Sequence, residues 1–139
     1  MKQVVRWGTA LAVVGLLAGA AGAEDKPKPA AKGGYVHVVL FTMKKDAPKD
    51  AMSKAIADCH TMLSKIKAVR SVKVGRPAKD ATPEVAKKDY DFALLIVVDD
   101  AAGLKAYLED PDHVAYVKKH GKHFDMDKLR VYDFADQKK

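Results

Sequence analysis

Cysteine is almost missing from this chain: Cys59 stands alone among 139 residues. A single thiol closes no internal disulfide, so the fold must hold by packing. Cys59 itself reads as a small buried apolar residue; a reactive thiol or an intermolecular disulfide is the other reading. A face of one charge sign is missing too. The chain has 25 Lys and Arg against 18 Asp and Glu, but the signs alternate, as in Lys44-Lys45-Asp46 and Lys87-Lys88-Asp89. Nucleic-acid binding asks for a clustered basic face with aromatic or groove-reading residues, and none is present. No internal repeat is visible. Trp7 to Leu17 is an unbroken apolar run, yet it falls short of the about 20 residues of a comfortable membrane span.

That run has a different meaning. Lys2 and Arg6 flank its start, and Ala21-Gly22-Ala23 ends the segment in a small-x-small pattern. Residues 1–23 are expected to be a secretory signal peptide. Glu24 follows the cut, where a lipoprotein would need cysteine. The protein is therefore expected to be exported, to the periplasm or the medium, with no membrane attachment after cleavage; a retained N-terminal anchor is the other reading. Residues 24–34, EDKPKPAAKGG, hold no large apolar side chain and read as a disordered linker. Residues 35–135 form one domain, and 136–139 a short tail.

Tyr35 to Met43, YVHVVLFTM, is β-branched, aromatic and apolar on both parities, which predicts a strand. Met52, Ala55, Ile56, Cys59, Met62, Leu63 and Ile66 follow at spacings of three and four, which predicts a helix. Asp46 and Pro48 are its start signals. Val69 to Arg76 alternates and closes at Gly75; Pro77 to Asp89 is a polar loop. Tyr90 to Val98, YDFALLIVV, is the strongest strand signal. Asp99 or Asp100 caps a helix carrying Leu104, Tyr107 and Leu108. Pro111 breaks it and starts another, capped by Asp110. That helix places His113, Val117 and His120 on one stripe and stops at Gly121. Leu129 to Phe134 is the last strand.

The order β-α-β-β-α-β predicts a ferredoxin-like two-layer α+β domain. Helices cover one face of such a sheet. The strand Phe92–Val98 is nevertheless apolar on both faces, and the first strand shows the same doubling. Apolar sheet left in water costs ~25 cal/mol per Å². A second copy of the same face is the economical cover, so a homodimer packed sheet to sheet is expected.

The segments Val36-His37-Val38-Val39-Leu40-Phe41, Gly75-Arg76, AYLEDPDHVAYV and VYDF resemble the stress-responsive A/B-barrel (Dabb) family over Tyr35 to Phe134. The most specific piece is Tyr107-x-x-Asp110-Pro111-x-His113, where the family usually has His-Pro-x-His after an aromatic; Asp110 replaces the first histidine. The resemblance implies a dimeric α/β barrel with a small-molecule cavity between sheet and helices. It extends distantly to the olivetolic acid cyclases of plants, which are polyketide cyclases. That likeness puts a catalytic tyrosine at Tyr107, a catalytic histidine at His113 and a strand histidine at His37. A further strand histidine falls on Phe92.

A neutral imidazole accepts a proton near pH 7, and a phenol donates to a developing oxyanion while staying neutral. Tyr107 and His113 together suit proton abstraction beside a carbonyl, and His37 shares the parity expected to face the helices. The plainer reading is polar core packing: Tyr107 lies on an apolar helix face, and His113 sits where it can bond Asp110 or backbone. His113, His120 and His123 with Asp110 suggest a metal, but Lys118, Lys119 and Lys122 surround them, and a helix C-terminus attracts cations for its own reasons. No metal, heme or other cofactor is expected. His60 lies off the stripe and reads as solvated. Three functions follow. One is a non-catalytic exported dimer holding a small apolar or polyketide-like molecule. Another is a cofactor-independent cyclase, lyase or isomerase using Tyr107 and His113. The last, by fold analogy alone, is a cofactor-free monooxygenase.

Overall fold

The computed structural model describes residues 34–80 and 83–137. The expected signal peptide and all but the last residue of the expected linker lie outside the described residues. The described elements are β1 (Tyr35–Phe41), α1 (Ala51–Thr61), β2 (Ser71–Gly75), β3 (Phe92–Val98), α2 (Ala101–Glu109), α3 (Pro111–His120) and β4 (Arg130–Ala135). Single 3-10 turns occupy Leu63–Lys65, Gly121–His123 and Met126–Lys128. The four strands form one antiparallel sheet in the order β2-β3-β1-β4. This is the ferredoxin-like α+β arrangement expected from the sequence. No helix among the described residues is long and apolar enough to cross a membrane.

The two faces of the sheet differ sharply. Phe92, Leu94, Ile96 and Val98 are buried on the helix side, as are His37, Val39 and Phe41 of β1. Phe41 stacks on Phe92 at 4.5 Å, and Phe124 closes on both. From above, α1 contributes Ala55 and Cys59, α2 contributes Tyr107 and α3 contributes Tyr116. On the far face the register lines Val36 with Val97 and Phe134, and Val38 with Leu95 and Tyr132. No helix among the described residues covers these, and Tyr132 and Phe134 are exposed.

Local chemistry sets the element ends. Asp100 caps α2 by accepting from the Gly103 N–H at 2.8 Å. Arg70 grips Asp99 with two guanidinium nitrogens, at 3.0 and 2.6 Å, and so ties the start of β2 to the end of β3. One boundary departs from the sequence expectation. Helix α1 begins at Ala51 behind Asp50, whose side chain makes no cap and turns to Lys54 instead, so Asp46 and Pro48 lie upstream of the true start. Helix α3 stops at Gly121 as expected, and there the φ of −56° and ψ of −32° are right-handed helical.

Candidate functional site

The break between α2 and α3 builds the site. Pro111 has no N–H to give, and it opens α3 at the position where none is needed. The Asp110 carboxylate accepts from the Asp112 N–H at 2.9 Å and caps the new helix. The chain turns sharply there, and the turn sets the rings of Tyr107 and His113 side by side, 4.6 Å between centroids. The last carbonyls of a helix lack intrahelical donors. His113 supplies one: its Nδ1–H donates to the Leu108 carbonyl at 2.9 Å. A carbonyl only accepts, so Nδ1 carries the proton and Nε2 keeps its lone pair. Burial lowers the His113 pKa below the ordinary 6.5, with nearby His37 adding to the fall against the upward pull of the Leu108 carbonyl. His113 is thus a neutral base at neutral pH.

His37 reaches the same place from the sheet, its ring 6.0 Å from Tyr107. It is buried, and its Nδ1–H donates to Asp133 Oδ1 of β4 at 2.6 Å. The carboxylate holds the ring so that Nε2 is the free nitrogen. Tyr107 lies between the two histidines and is 1% exposed. Burial raises its phenol well above the ordinary range, with Cys59 nearby adding to the rise. It is a hydrogen-bond donor and stays one at any working pH.

The three expected residues His37, Tyr107 and His113 line one cavity of about 230 Å³ between helices and sheet. The remaining lining is apolar, with Phe41, Leu94 and Phe124 deep inside. Leu108, Val117, Met126 and Val131 also line it and are 41–60% exposed, so they form its rim. Dry walls strengthen the few polar groups, because nearby water no longer competes for their hydrogen bonds.

Sequence reasoning missed several participants. Asp133 faces His37 through the β1–β4 register, across 96 positions of chain. Its one signal was an acid inside an otherwise apolar strand. Tyr116 is buried on α3, and the Cys59 thiol donates to its hydroxyl at 3.2 Å. Burial pushes the Cys59 pKa up to about 11, so this thiol is packed and protonated, as its sequence context implied. Met126 and Leu129 lie beyond the stripe and had no periodicity to mark them.

The suggested histidine cluster is not assembled. His113 belongs to the cavity, whereas His120 turns away from the His113 stripe. Its Nε2 meets Asp58 at 2.7 Å, and Lys119 holds the same carboxylate. Among the described residues no group of three or more His, Cys, Asp or Glu is placed to hold a metal. His60 is exposed.

A half-covered antiparallel sheet, helices over its other side and a polar-ended apolar cavity between them define a ferredoxin-like domain with room for a small molecule. The chain belongs to the Stress responsive A/B Barrel Domain (Dabb) family, whose model matches residues 36–136. It is similar to a Dabb protein with a ferredoxin-like fold from Mesorhizobium loti, at 25% identity and a TM-score of 0.60, covering 77% of this chain and 100% of that one. A dimeric ferredoxin-like protein of unknown function from Thermobifida fusca is 23% identical with a TM-score of 0.60, over 74% of this chain and 91% of that one. A hydroxynitrile lyase from Passiflora edulis is 16% identical with a TM-score of 0.62, over 80% of this chain and 98% of that one. These likenesses below 25% speak for the fold. A comparison with curated proteins finds no match.

Proposed function

We propose that this is an exported, homodimeric Dabb protein whose cavity takes one small, mainly apolar carbonyl compound and moves a proton on it without a cofactor. The observation that carries this reading is the convergence of Tyr107 and His113, with His37, on one otherwise apolar cavity. His113 Nε2 is the base. It removes a proton from the carbon beside the carbonyl, the C–H pair moving to the carbonyl oxygen, or it removes a hydroxyl proton, the oxygen pair then closing to C=O as the bond to a carbon leaving group breaks and that group departs with the bonding pair. The Tyr107 O–H donates to that oxygen as charge builds there. His37, held by Asp133, stands on the far side of Tyr107. Return of the proton to another atom gives isomerisation or ring closure; departure of a carbon group gives a lyase. The hydroxynitrile lyase among its structural neighbours supports the last outcome as one this fold can host.

A binding-only protein is the second reading, and two observations favour it. Asp110 stands where the family motif has histidine, and it serves as a helix cap. Phe92 is fully buried in the core, where it carries no chemistry. Deuterium exchange decides between them. Methyl ketones incubated in D₂O with the protein should gain deuterium beside the carbonyl, and His113→Ala should lose this by about 10²–10⁴-fold. Binding without exchange selects the second reading. Export rests on the signal-like N-terminus; N-terminal sequencing of the secreted product should begin at Glu24, and a retained Met1 would oppose it.

A further inference from the structure

We infer that Gly121 sets the length of the ligand: the cavity holds a carbonyl compound whose apolar chain runs along α3 from His113 to Gly121. The inference rests on the proposed function, because it describes the same cavity. His113, Val117 and Gly121 all line it. They follow at spacings of four, so they share one face of the helical path. Eight residues at 1.5 Å each put Gly121 about 12 Å from the base. Along that stripe the side chains shrink from an imidazole to an isopropyl group to nothing.

The usual reasons for a glycine do not apply. Its backbone is right-handed helical, with φ −56° and ψ −32°, a conformation open to every L residue. No backbone presses on it either: an added Cβ meets only Val117 Cγ1, at the ordinary contact distance of 3.8 Å. What the missing side chain provides is room in the cavity wall. Val117, the neighbour of Gly121 on this stripe, is apolar, and so are Met126 and Leu129 among the other lining residues. His113 and the open wall at Gly121 thus lie at the two ends of one stripe, which fits a ligand with one carbonyl head and one extended hydrocarbon chain.

The test is a titration with straight-chain methyl ketones, from butanone to decan-2-one, read by the NMR signals of the His113 ring. Wild type should bind more tightly as the chain lengthens. Gly121→Val should lose about 10–200-fold on octan-2-one and markedly less on butanone, the range a methylene-scale clash or gap commands in an apolar pocket. Gly121→Ala should fall between them, with a melting temperature no lower than wild type. Equal binding of octan-2-one by wild type and both variants overturns the inference and leaves the proposed function standing, as does a loss that ignores chain length in Gly121→Ala. If no ketone moves the His113 signals of wild type, both readings fall.

Discussion

His113 shows how burial and one hydrogen bond choose a chemical role. The Leu108 carbonyl fixes the proton on Nδ1, and burial keeps the ring neutral. Activity that needs the neutral ring should therefore stay level through neutral pH and fall only below the lowered pKa, on the acid side of 6.5. A kcat/KM profile measures this; a fall that begins above pH 6.5 would contradict it. The same shift has a sign in stability. Below 6.5 the unfolded chain binds this proton more readily than the folded one, so stability rises with pH across that window and is lost as pH falls. His37 is held differently, by a carboxylate that the sequence did not announce. Asp133→Asn should leave the fold intact but release the tautomer. Nitrogen-15 shifts should report a protonated Nδ1 on His37 in wild type and a mixture in the variant. An unchanged tautomer would mean that something other than Asp133 orients the ring.

The junction of α2 and α3 does at the level of elements what those bonds do for single rings. Asp110 and Pro111 are local signals, and both were legible because capping depends on residues one or two positions away. Asp110→Ala should cost about 1 kcal/mol, with Asp110→Asn close to wild type; urea denaturation followed by circular dichroism gives the difference. An unchanged midpoint would show that the cap contributes nothing and that Pro111 alone sets the turn. The alternation of β3 was equally legible, since a strand buried on one side must show period two. The rotation of α3 was not. Its stripe of 113, 117 and 120 mixes steps of four and three, and such a mixture leaves the facing direction open by half a side chain. The actual partition buries Tyr116 and His120 and puts His113, Tyr116 and Val117 on the cavity, with His120 off it. What decides it is Asp58 on α1, which draws His120 in from 62 positions away. Pairings at that separation leave no periodic trace, and the partnership of Asp133 with His37 escaped for the same reason.

At the scale of the whole molecule the open problem is the second face of the sheet. Val36, Val38 and Leu40 of β1 lie beside Ala93, Leu95 and Val97 of β3, and Tyr132 and Phe134 of β4 extend the patch. Within one copy these side chains are half-buried or exposed, and no helix among the described residues lies over them. Apolar sheet left in water at ~25 cal/mol per Å² is a strong drive to associate. Several structural neighbours are described as dimeric ferredoxin-like proteins, consistent with a cover made from a second copy. Leu95 lies near the middle of this face, paired with both Val38 and Lys73. In a two-fold dimer a charge placed there is buried twice, once in each copy, with Val38 on one side and only the Lys73 ammonium on the other to offset it. Leu95→Asp should therefore run as a monomer in analytical ultracentrifugation at concentrations where wild type is a dimer. Because this side chain points away from the helices, the variant should keep the helix-side core and the circular dichroism of a folded domain. The cavity lies on the opposite side of the sheet, so a folded monomer that still binds short ketones would separate the two faces cleanly: one for association, the other for chemistry. A wild-type monomer at tens of micromolar, or a Leu95→Asp variant that stays dimeric, would remove the sheet face as the interface.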